Sequence, residues 1–165
     1  MPEDLRTQPA ALVTKWSAGS IRITSRRLTA DEISGRLRIA ADQQFERDSP
    51  MSPRNPTGAR RETSVWLKRS GLPDDTDLAD HVRALVALVD GRREELATLS
   101  TDCDLELRLG FGSENGQGGC VLPAGLLSEV GALGWDIVLD LYPPEPADPD
   151  RRREPGSRVS TASGP

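Results

Sequence analysis

The sequence predicts an α+β domain: a two-layer sandwich in which a largely antiparallel sheet of about five strands carries three helices on one face. Three observations predict it. Two segments alternate apolar and polar residues with period two, a capping box opens a helix at Thr29, and two later stretches carry apolar stripes at helical spacing. The predicted element order is β-α-β-α-β-β-α-β. It occupies a single domain over residues 17–142, with disordered tails expected at 1–16 and 143–165.

Ile21 and Ile23 alternate with Arg22 and Thr24, a short strand. Thr29 is an N-cap with Glu32 three residues on, and Leu28 and Ile33 stand at the positions of a hydrophobic staple, so a helix runs from here through Leu37. Ala41 to Glu62 has no periodicity and holds Pro50, Pro53, Pro56 and Gly58, which forbids regular structure. Ser64–Arg69 reads as the second strand. Asp74, Asp75, Asp77 and Asp80 then crowd the first turn of a helix, where the dipole favours negative charge. Its stripe runs through Leu78, Val82, Leu85, Val89, Leu96 and Leu99, with a kink expected at Asp90-Gly91.

Leu105, Leu107, Leu109 and Phe111 alternate with Asp104, Glu106, Arg108 and Gly110. Later, Trp135, Ile137, Leu139 and Leu141 alternate with Asp136, Val138, Asp140 and Tyr142. Such strands bury one face, the habit of antiparallel sheets. Between them lie a hairpin turn at Ser113–Gly118, a short strand at Cys120–Leu122, and a helix. That helix has Pro123 at its first position, a stripe of Leu126, Leu127, Val130 and Leu133, and Gly134 as its stop. After Tyr142 the chain is too rich in proline and charge to bury a core.

The chain has 165 residues, a net charge of −5 and an apolar fraction of 36%, low enough that part of it is expected not to fold. The whole acidic excess lies between Ser17 and Tyr142. Nucleic acid is therefore not an expected partner, since binding it needs cations that displace counterions from phosphate. No stretch reads as a signal core or membrane span, so a cytoplasmic location and no membrane contact are expected. A hairpin near Asn115 places Cys103 roughly 23 Å along its strand from the partner of Cys120. A bridge needs Cα atoms within about 7 Å, so both are read as free thiols.

From Ser17 to Tyr142 the chain resembles the family called domain of unknown function 4279, small bacterial proteins. The resemblance rests on the strand before "LTADEISGRL", the Pro-rich basic loop, "SVWLKRSGLPDDTDLADHVRALV" and "GGCVLPAGLLSEVGALGWDIVLDLY". The family often has a glycine before the acid of the middle loop, where this chain has Arg47-Asp48. The resemblance carries over no catalytic residue.

The residues suggest few chemistries. Gly110–Gly119 lacks both phosphate-loop patterns and leads into a strand, so it reads as a turn. His81 is the sole histidine, which removes multi-histidine metal sites, and it is read as a helix-flank residue paired with Asp77. Arg54, Arg60 and Arg61 of the arginine-rich loop 47–62, with Trp66 just beyond, suit carboxylate or phosphate. The outward rows offer Arg108, Asp136, Asp140 and Tyr142 as a contact surface. The expected function is therefore a non-enzymatic binding or protein-interaction module working through the open sheet face or the arginine loop. It takes a protein partner and no cofactor or metal; an immunity-like role stands by analogy alone. The alternative is a metal-dependent hydrolase using Asp104, Glu106, Asp136 and Asp140 on the outward face.

Overall fold

The computed structural model describes residues 15–142 apart from Asn115 and Gln117. The expected tails fall almost wholly outside the described residues. The exception is Lys15 and Trp16, which open the first strand instead of ending the expected disordered tail. The elements are β1 (Lys15–Ser25), α1 (Ala30–Leu37), β2 (Gln43–Phe45), β3 (Ser64–Arg69), α2 (Leu78–Val89), α3 (Arg93–Leu99), β4 (Cys103–Ser113), α4 (Ala124–Gly131) and β5 (Asp136–Tyr142). The class is α+β, with a five-stranded sheet in the order β2-β3-β1-β4-β5.

Several expectations are corrected. The sheet is mixed: β1 runs antiparallel to β3 and β4, and β2 to β3, but β5 is parallel to β4. No hairpin follows β4; the chain crosses over through α4 instead, and the expected strand at Cys120–Leu122 has no regular structure. Four helices among the described residues replace three, because the stripe expected to span residues 78–99 is cut at Gly91, whose φ of 74° no helix accommodates. The two cysteines are both free, Cys103 buried and Cys120 exposed, at opposite ends of β4 and its following loop.

The core lies between the inner sheet face and the helices. Ile21 and Ile23 of β1, Trp66 of β3 and Leu105, Leu107 and Leu109 of β4 meet Ile33, Leu37, Val82, Leu85, Val89 and Leu99. The predicted capping box of α1 is present: Thr29 caps Glu32 N–H and Glu32 accepts from Thr29 N–H at 2.7 Å. That charged partnership holds the Glu32 carboxyl below its usual value. Trp66 Nε1 donates to Ser34 Oγ at 2.9 Å, so the one polar atom of the largest core side chain is satisfied by the helix above it.

The stretch 41–62 is more ordered than its prolines suggest. β2 adds three residues to β3, and beyond it Asp48 N–H bonds Arg61 O at 2.9 Å, Arg61 N–H bonds Ser49 O and Met51 N–H bonds Ala59 O. These bonds close an arm whose entry needs the left-handed conformation of Asp48, φ 63°. An aspartate tolerates this region better than most side chains. Glu46 ties the arm's base to α1 by accepting from Ala30 N–H at 3.1 Å and from Ser64 Oγ at 3.0 Å.

Asp42 makes a second tie, between the α1–β2 connection and β3. It accepts from Lys68 Nζ and from Arg69 N–H, each at 2.8 Å. The bond from Lys68, then that from Arg69 N–H, holds its carboxyl below the usual value. A pKa lowered by folding stabilises above the unfolded carboxylate's value of about 3.9 and loses that contribution as pH falls through the folded value. The stability gap between the wild type and Asp42→Asn is expected to be full at neutral pH and to close below about pH 4. A gap constant down to about pH 2, in urea titrations across pH, contradicts this tie.

Candidate functional site

Every described helix lies on one side of the sheet, and no described helix covers the other face. Its floor is built from small residues. Ala18 and Ser20 of β1 and Gly110 of β4 point outward, because their inward neighbours Gly19, Ile21 and Leu109 are buried. The registers then assemble rows across the sheet. Ala18 lies opposite Gly110 and Gly110 beside Asp140; Ser20 lies between Arg69 and Arg108; Arg22 lies between Leu67 and Glu106.

Aromatic walls rise at two ends. Trp16 packs on Tyr142 with ring centroids 4.8 Å apart and planes tilted 57°. Its indole lies across β4, and only glycines permit that: a Cβ on Gly112 would sit 2.5 Å from Trp16 Nε1, and one on Gly110 3.1 Å from the same ring. At the other end Arg61 reaches back from the arm and sets its guanidinium 3.9 Å from the centre of the Phe45 ring, a cation–π contact. Together these residues enclose a concavity of about 630 Å³.

Four arginines, Arg22, Arg61, Arg69 and Arg108, line it against two aspartates, Asp74 and Asp140. Two arginines are held by carboxylates, Arg22 on Glu106 at 3.1 Å and Arg108 on Asp140 at 3.0 Å. The Arg69 guanidinium makes no ion pair with the described residues, and Arg61 Nε is buried without a hydrogen-bond partner among them. The concavity is therefore locally basic in a chain of net charge −5.

The sequence model of one family, described as Domain of unknown function (DUF4279), matches residues 14–144. The chain belongs to that family. No curated protein and no solved structure matches it.

In this family member, four of the residues singled out from sequence come together in the concavity: Arg61, Arg108, Asp140 and Tyr142. The two surfaces set apart in the sequence reading, sheet face and arginine loop, meet here because the arm folds back over β2. The other expected residues are elsewhere. Trp66 is a core residue with 0% exposure, since its register partner Ile23 faces inward. Arg54 is exposed on the arm, and Arg60 bonds Asp48 O from the arm's outside. Asp136 borders a different hollow of about 480 Å³, beside Asp104, Leu133 and Trp135.

Beyond Asp104 and Asp136, which share that hollow, the outward carboxylates do not gather. Glu106 and Asp140 each turn to an arginine, and among the described residues no three of His, Cys, Asp and Glu gather to hold a metal ion. His81 is fully buried, and its Nδ1 meets Ser70 Oγ at 2.6 Å rather than Asp77. It sits below Gly19, which lets α2 approach β1 closely. Burial pushes the Cys103 thiol up, away from reactivity.

Trp16, Phe45, Arg22 and Arg69 line the site and were missed. Arg22 was legible as an outward member of an alternating strand; Arg69 was not, because its strand runs Val65-Trp66-Leu67 without alternation. Trp16 was not, because Ser17-Ala18-Gly19-Ser20 hides the strand that carries it.

Gly112→Ala is expected to displace Trp16 from its bed, cost about 1–3 kcal/mol and change the near-ultraviolet circular dichroism. Gly125→Ala, on α4 with no atom near its Cβ, is expected to be neutral or stabilising by about 0.4–1 kcal/mol. Equal effects at the two glycines contradict the packing described.

Proposed function

We propose that this protein is a non-enzymatic binding module that takes an acidic segment of a protein partner onto the open sheet face. The observation that carries this reading is the charge inversion. The concavity presents four arginines against three carboxylates, Asp74, Asp140 and the Glu106 that holds Arg22, while the chain as a whole is acidic. Charge of one sign gathered in a hollow steers an oppositely charged partner and fixes its orientation. Arginine forks suit carboxylates in particular. The rigid aromatics at the rim, Trp16, Tyr142 and Phe45, supply the apolar anchors that carry binding energy in most interfaces. An immunity-like role against a toxin is one form such a module takes, on the analogy of size and class alone.

The test starts from a partner captured with the full-length chain and measures its affinity for variants. Arg69→Glu with Tyr142→Ala is expected to weaken binding at least tenfold, about 1.4 kcal/mol. Arg69 has no ion pair to lose among the described residues, and the variant's stability is expected to fall only by the lost Trp16–Tyr142 ring contact, about 0.5–1.5 kcal/mol, which leaves it folded. Affinity is also expected to fall as salt rises. Arg54→Glu with Arg60→Glu is expected to change little. Loss of binding in the second pair and not the first moves the contact to the arm and overturns the reading.

A further inference from the structure

The two edges of the sheet differ. β2 ends one side with three residues, short as edge strands usually are. β5 ends the other with seven, and no strand among the described residues pairs with its outer side. Its inward row, Ile137, Leu139 and Leu141, continues the core row of Leu107, Leu109 and Phe111, yet these three side chains are 47%, 50% and 67% exposed. A long, free edge with one bare apolar face is a template for another strand.

We propose that β5 pairs antiparallel with β5 of a second copy of this chain about a two-fold axis through Leu139. The sequence of the strand selects that register. A two-fold axis normal to the sheet brings the same patch of each copy together and keeps both apolar rows on the helix side. With Leu139 on the axis, all seven residues pair. Ile137 lies opposite the second copy's Leu141, Val138 opposite its Asp140, and Asp136 opposite its Tyr142. No carboxylate faces a carboxylate.

The alternatives each carry a penalty. A slip of one residue sets the apolar row of one copy against the polar row of the other. A slip that keeps the faces aligned by moving the axis to Val138 places Asp136 opposite Asp140, and moving it to Asp140 places Asp140 opposite itself. Like charges directly opposite are destabilising. The two aspartates thus act as register keys, and parallel pairing of two copies would turn one apolar row to each side of the sheet. The product is a continuous ten-stranded sheet with both open faces on one side, independent of what those faces bind.

Sedimentation of the full-length chain at micromolar concentration is expected to show a dimer, and Leu139→Lys a folded monomer. Register is read by oxidation in a Cys120→Ser background, since Cys103 is buried. Leu139→Cys places two thiols directly opposite, with Cα atoms within about 5.5 Å, and is expected to cross-link. Val138→Cys offsets them by two residues, beyond the about 7 Å limit, and is expected to stay uncrosslinked. A wild-type monomer overturns the proposal. So does a dimer that Val138→Cys cross-links and Leu139→Cys does not.

Discussion

The fold depends on the double pairing of β1. All eleven of its residues pair with β4, and six of them pair on the other side with β3. Only Ile21 and Ile23 anchor it to the helices by large apolar side chains. Its first half, Trp16 to Ser20, is held by main-chain bonds instead. Ser17 N–H reaches Asp74 O, Ser70 N–H reaches Gly19 O, and the Ser17 hydroxyl bonds Thr76 O. A strand paired along its whole length with β4, and over six residues with β3, tolerates small residues that would be poor strand formers alone.

That economy of side chain shapes the working face. Because Ala18, Ser20 and Gly110 project little, the larger groups around them stand as walls and leave a hollow. Because Gly110 and Gly112 carry no Cβ, Trp16 lies flat against β4 and meets Tyr142 at the far edge. Because the helices cover one side alone, the charged members of the alternating strands must face water, where they pair across strands or remain free for a partner. The basic lining is thus a product of the same alternation that builds the core.

Local signals were legible in the sequence and long-range ones were not. The capping box at Thr29 was read correctly because all its atoms lie within one turn. The period-two strands were placed correctly, but alternation reports one-sided burial and is silent on strand direction. The parallel crossover through α4 therefore read as a hairpin. Trp66 sits in the unbroken run Val65-Trp66-Leu67, where no alternation tells the inward side chain from the outward pair. The arm at residues 46–62 is shaped by main-chain bonds between segments a dozen residues apart, which proline content obscures. In β5 the alternation was real, yet the row expected to be buried is half-exposed, because no described helix extends over the edge strand.

The central claim is that the face turned away from the helices is the contact surface. The most direct measurement places a photo-crosslinking phenylalanine analogue at Leu67, half-buried on the open face, or at Ala87, exposed on the outer side of α2. The two full-length proteins are then irradiated in the producing cell. The account predicts a discrete adduct of higher mass from Leu67 and none from Ala87. An adduct from Ala87 alone would contradict it.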